Sequence, residues 1–172
     1  GIGLDFLNGG KTKIRMELLM GSIPPVKLAE LLESHQRWLA DDPLGKRMVL
    51  AEDLAGSNLV RANLEKSDLR GADLRGADLT AANLKAADLA GALLDSAKLS
   101  NATLEGTRFD QASLKNADLT RCGMVFASFK QADLTGADLG EVFMISSNCT
   151  DAVMIGVVMA RARLNKCILQ NV

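Results

Sequence analysis

The stretch Ser67–Leu94, SDLRGADLRGADLTAANLKAADLAGALL, repeats itself every five residues. An α-helix has a period of 3.6 and a strand a period of 2, so neither explains it. Stepping by five from Leu54 reaches Leu169 through 24 pentads without an insertion. Most of these positions are Leu; the others are Phe109, Met124, Phe129, Met144, Cys149, Met154 and Met159, and none is charged. Two residues before each, Ala fills 15 of the 24 places. Ser57, Ser67, Thr107, Cys122, Ser147 and Cys167 are also small; Val142 and Val157 are bulkier, and Glu52 is the exception at the start. The residue between small and large is Asp or Asn in 12 of 24 pentads.

The unit therefore reads small-in, polar-out, large-in, out, out. Its first three residues alternate as a strand does. Two successive outward residues break the alternation and require a turn. Gly at the second of them, as at Gly56, Gly71, Gly76, Gly91, Gly106, Gly136 and Gly156, eases a left-handed backbone. Asp and Asn hydrogen-bond to nearby backbone and favour such turns. Each pentad is one side of a polygon, and polygons stacked at the inter-strand spacing form an all-β solenoid.

GADLRGADLTAANLKAADL, residues 71–89, resembles the pentapeptide-repeat family, whose consensus is A(D/N)LXX. The resemblance covers residues 52–169. It implies a right-handed quadrilateral β-helix with four pentads per coil, hence about six coils and a rod of roughly 29 Å. Twenty-residue coils would stack Phe109 on Phe129 and Met124 on Met144. Three-sided coils would pair Phe109 with Met124 instead.

Three segments are expected: an N-terminal extension (1–21), a helical cap and lead-in (22–51), and the solenoid (52–172). SIPPVKLAELLESHQRWLADDP reads as a helix, with Pro24 or Pro25 in its first turn and Asp41, Asp42 and Pro43 ending it. Leu28, Leu31, Leu32, His35, Trp38 and Leu39 recur at helical spacing. A solenoid exposes its core at its ends, so this α-helical cap is expected to lay Leu31, Trp38 and Leu39 over the first coil, with His35 among them. LLESHQRWL and the following GKR resemble the lead-in of bacterial and phage pentapeptide-repeat proteins of unassigned function. In the extension, KTKIRMELLM reads as a strand or a helix and NGG as a turn. The chain does not begin with Met, which fits a processed end or a piece of a longer protein.

Composition narrows the function classes. Twenty basic and 21 acidic residues leave a net charge of −1, which gives no global attraction to nucleic acid or an anionic membrane. No apolar run is long enough for a transmembrane helix, and GIGLDFLNGG lacks the pattern of a secretory signal. Three scattered cysteines suit a reducing compartment and a cytoplasmic location rather than a disulfide framework. Cys122, Cys149 and Cys167 all fall on inward positions, where thiols act as small hydrophobes.

No catalytic, cofactor or metal site is expected. His35 is the single histidine. The Asp ladder (Asp68, Asp73, Asp78, Asp88, Asp118, Asp133, Asp138) follows the repeat, and a filled rod offers no pocket in which carboxylates converge.

One departure stands out. Beyond Arg121, outward positions turn apolar at Val125, Phe126, Phe143, Ile145, Val153, Ile155, Val158 and Ile168. Four-sided coils would stack Val125 with Ile145, with Phe126 and Phe143 beside them. Clustered apolar surface marks a contact site. No capping helix follows Leu169, so the last coil is expected to pair with a second copy. The leading expectation is a non-catalytic interaction module, a homodimer through its C-terminal coils or a rod bound by another protein. Two alternatives come from elsewhere. Resemblance to the quinolone-resistance members implies a DNA mimic that binds DNA gyrase or topoisomerase IV. From Glu52 onward, however, there are 15 acidic and 13 basic residues, and no face is purely acidic. The other alternative is a targeting segment of a larger effector.

Overall fold

A computed structural model describes residues 23–50 and 53–172; the strand, helix and turn expected in the N-terminal extension lie outside the described residues. The chain returns beside itself every twenty residues. Asp53 bridges Asp73, Asn58 bridges Asp78, Asn63 bridges Asn83 and Asp68 bridges Asp88, all parallel, and the same step continues to Asn148 with Ile168. Twenty residues are four pentads. The pentads therefore form four stacks, begun by Leu54, Leu59, Leu64 and Leu69 and continued at i+20. The fold is a repeat β-solenoid.

Its core is the line of inward side chains. From Leu54 to Cys149 every five-spaced residue is buried, with Ala or another small residue filling the corners between them. Phe109 and Phe129 stack with ring centroids 4.9 Å apart and planes 8° from parallel, and Met124 pairs with Met144. Exposure rises over the last coil, where Met159 is 38% and Leu169 43% exposed.

The five backbone N–H groups of one pentad, Ala77–Ala81, show why the unit is stable. Ala77 donates to Leu74 O at 3.0 Å and closes the corner. Asp78 donates to Ser57 O of the preceding coil at 2.9 Å; Leu79 and Ala81 donate to Lys98 O and Ser100 O of the next, at 2.7 and 2.9 Å. The remaining donor, Thr80 N–H, goes to Asp78 Oδ1 at 3.1 Å. Every donor is paired, as buried backbone demands. The same side-chain acceptor recurs wherever the outward place before the large residue is Asp or Asn, from Asp53 to Asn148. The repeat's carboxylates thus end the turn by accepting a hydrogen bond two residues on.

The second outward residue has positive φ in every pentad, whether it is Gly76 (64°), Ala81 (58°) or Phe126 (56°). A left-handed residue here lets the chain turn the corner into the next pentad. Non-glycine residues accept its cost because inter-coil hydrogen bonds hold them there.

One stack departs from the pattern. In the stack begun by Leu64, the later pentads have Gly123, Phe143 and Arg163 where the acceptor would be. There the chain stays extended through the next residue, although pentads with Leu93, Lys98, Thr103 or Arg108 at the same place keep the turn. It forms three parallel strands, β1 (Gly123–Val125), β2 (Phe143–Ile145) and β3 (Arg163–Asn165), in the order β1-β2-β3. Val125 and Ile145, β-branched and suited to extended backbone, pair directly.

Helix α1 spans Pro25–Leu39, with Pro at its first position. It ends in a Schellman arrangement: Asp41 takes φ 58°, Asp42 N–H reaches Arg37 O at 3.0 Å and Asp41 N–H reaches Trp38 O at 3.1 Å. The chain then doubles back so closely that a Cβ on Gly45 would lie 2.1 Å from Trp38 N. Lys46 N–H donates to Ser34, and pairing with the solenoid begins at Val49, opposite Asp68. No helix among the described residues is long and apolar enough to cross a membrane.

Candidate protein-interaction surface

The outer surface is laced with ion pairs. Arg70 grips Asp68 through two hydrogen bonds of 2.7 and 2.6 Å, and Arg75 holds Asp73 in the same way. Arg108 bridges to Asp88 at 2.9 Å, Lys85 to Glu105 at 3.0 Å, Lys115 to Asp133 at 3.2 Å and Arg121 to Glu141 at 3.3 Å. The bonds from Arg70 and Arg75 hold the Asp68 and Asp73 carboxyls below the usual carboxylate range. The Asp ladder is therefore used up in turns and pairs. Burial pushes the Cys122 and Cys149 thiols up to about 12, away from the thiolate that redox or metal chemistry needs.

The apolar outward residues divide into two groups. Val125, Phe126, Phe143 and Ile145 share the stack that carries the three strands. Phe126 is 66% and Phe143 41% exposed; Val125 and Ile145 are half-buried beside them. Val153 and Ile155 flank Met154 in the stack begun by Leu54, Val158 lies in the next stack, and Ile168 in the stack begun by Leu69. All four are exposed, but they ring the last coil and do not extend the first patch.

At the other end, Leu28 is buried in the core, and Leu31 and Leu32 pack against it. His35, completely buried, joins three segments. Its Nε2 donates to Glu65 O at 2.9 Å, and its Nδ1 accepts from Met48 N–H at 3.0 Å. Trp38 stacks on the His35 ring at 5.6 Å. Trp38 and Leu39 are half-buried, as Leu31 and Leu32 are, but only the latter two pack against the core, beside Leu28 and His35.

Three neighbours of the patch escape notice in the sequence. Gly123 pairs with Phe143; its φ is not in the left-handed region, and a Cβ there would touch nothing within 4 Å. Arg161 and Arg163 line a shallow groove of about 290 Å³ with Glu141, Val142 and Phe143. Arg163 sits where the repeat puts Asp or Asn, the one available signal. The groove adjoins a second of about 460 Å³ that shares Glu141 and Arg161.

The Pentapeptide repeats family matches residues 53–85, 87–124, 97–136 and 132–171 in eight copies. The chain belongs to the pentapeptide-repeat family. Among solved structures, a pentapeptide repeat protein from the thylakoid lumen of Arabidopsis thaliana is similar at 35% identity over 56% of this chain and 67% of that one, with a TM-score of 0.54. Rfr23, a pentapeptide repeat protein of the cyanobacterium Cyanothece 51142, is similar at 25% identity over 67% of this chain and 86% of its own, with a TM-score of 0.53. No curated protein matches the chain. The likeness supports the pentapeptide-repeat solenoid and carries no partner with it.

Proposed function

We propose that this chain is a non-catalytic protein-interaction module of the cytoplasm, a right-handed four-sided rod of six coils capped by α1, that binds protein through the β1–β2 face. The observation that carries the reading is Phe126. A bulky aromatic side chain stands 66% exposed on the outer surface, at a place where most other pentads carry Gly or a polar residue. Beside it Phe143, Val125 and Ile145 continue the apolar surface, and exposed apolar clusters of this kind mark contact sites. Three free cysteines fit the reducing compartment.

The gyrase-binding alternative needs a run of unneutralised negative charge like that of duplex DNA. The paired carboxylates and Lys98 between Asp78 and Asp118 favour it less. A targeting role within a larger effector would use the same face.

A photo-cross-linking residue placed at Phe126 tests the reading, with one at Thr135, in another stack, as the control. Cross-links to a second protein or a second copy from position 126 and none from 135 are expected. Equal yields from both, or none from 126, overturn it.

A further inference from the structure

The partner's chemistry can be taken further, resting on the reading just given. Gly123 has no backbone reason to be glycine. Its φ is not left-handed and a side chain would fit there freely, and its counterpart one coil below is Thr103. Its effect is a notch in the outward surface, with Phe143 in register above and Val125 two residues along the same strand. An apolar side chain of a partner fits that notch.

Charge decides what surrounds it. Arg161, Arg163 and Lys166 are exposed and have no carboxylate within 4.0 Å among the described residues. Glu141 lines the groove with Arg161 and Arg163, but both of its oxygens are taken by Arg121 at 3.3 Å. The Arg121 hydrogen bonds chiefly, and the Arg161 charge more weakly, hold the Glu141 carboxyl below its ordinary value. The groove beside Phe143 is thus a cationic site next to an apolar one. Arginine favours carboxylates through its planar fork of donors. A polyanion such as single-stranded nucleic acid fits less well, because Asp118 and Asp138 run up the neighbouring stack.

We propose that this face docks an extended acidic segment of a partner protein, with carboxylates in the Arg161–Arg163 groove and an apolar side chain, within two residues of them, in the Gly123 notch. Such a segment runs across β1, β2 and β3, because Gly123, Phe143 and Arg163 stand in one column from coil to coil, about 10 Å from end to end at the inter-strand spacing.

A displayed library of random peptides, panned against the intact chain, tests this. Enriched peptides should carry Asp or Glu within two residues of Leu, Ile, Val or Phe. Their affinity should fall about tenfold or more on Arg161→Glu/Arg163→Glu and on Gly123→Val, with circular dichroism unchanged. Lys98→Glu, in another stack, should leave it unaltered. If basic or uncharged peptides are enriched and remain sensitive to Gly123→Val, the face binds protein but the acidic partner is wrong. Enrichment insensitive to both the arginine and the glycine changes, or no enrichment, removes the docking site itself. Tighter binding of an oligothymidylate than of any enriched peptide, lost on Arg161→Glu/Arg163→Glu, would replace the peptide with nucleic acid. Self-association that blocks peptide binding and is lost on Gly123→Val would make the occupant a second copy.

Discussion

Asp95 Oδ1 accepts the backbone N–H of Lys115, twenty residues further on, at 3.1 Å. In half of the pentads this donor is met by an Asp or Asn two residues earlier. Lys115 has Ser113 there, and Ser113 Oγ donates to the same Asp95 oxygen. Three pentads later, in another stack, Asp110 serves Lys130 and Ser128 identically. A missing acceptor in one coil is thus supplied by a carboxylate from the coil before.

Asp95→Ala should cost about 0.5–1.5 kcal/mol, the net worth of a hydrogen bond. Adding Ser113→Asp restores a local acceptor and should recover most of the loss. Urea midpoints of the two single variants and the double variant give the coupling. Additive losses would mean that Asp95 does not stand in for the missing residue.

Ala81→Gly should stabilise the fold by up to about 1 kcal/mol. Ala81 is held at φ 58°, where a Cβ is strained and glycine is not. Gly76→Ala should act in the opposite sense although nothing lies within 4 Å of the added carbon. Thermal melts of the two variants check the sign, and two equal shifts in one direction would contradict the backbone argument.

Leu84→Asp places an unpaired charge in a fully buried site and should cost more than about 4 kcal/mol. Its neighbour Lys85 is outward. It pairs with Glu105 and shares a column with Glu65, so Lys85→Asp would create three carboxylates in a row. Lys85→Ala is the cleaner control and should cost under about 1 kcal/mol. Denaturant titration distinguishes the two positions.

His35 makes acidification a test of α1 docking. Burial is the largest cause holding its imidazole below the ordinary 6.5; the Glu65 carbonyl raises it, Arg47 lowers it and the Glu65 charge raises it. The native ring is neutral, with Nδ1 as an acceptor. As pH falls below about 6.5 the unfolded chain takes up a proton first. Stability should therefore be full above that pH and decline as pH drops through the folded value. His35→Gln should flatten the dependence of the urea midpoint between neutral pH and pH 5. An equally steep dependence in the variant would assign the loss to other groups.

Much of the solenoid is legible in the sequence because the inward positions are chosen by burial alone, and burial follows the period. Phe109 over Phe129 and Met124 over Met144 come from spacing once the coil has twenty residues. The carboxylates at Asp68 and Asp78 are legible as turn residues for the same reason. The helix is read less sharply. Its apolar stripe is wide enough to present Trp38 or Leu28, and what selects the latter is the Met48–His35–Glu65 hydrogen-bond chain, which joins residues far apart in sequence. The apolar surface divides in a way that a linear scan misses: Phe143 and Ile155 are twelve residues apart yet belong to different stacks. Arg161 and Arg163 look like ordinary solvated charges until their missing partners are seen in three dimensions.

The twenty-residue register has a consequence for how such a rod changes. Removing or inserting one pentad keeps every later residue inward or outward as before, since the sense depends only on position within five. It does, however, carry everything downstream from one stack to the next. Deleting one pentad between Leu114 and Cys122 would swing Phe126 and Phe143 to an adjacent side while leaving the interior continuous. The geometry of attachment on this protein is thus adjustable in steps of one stack, separately from the chemistry of the residues that attach.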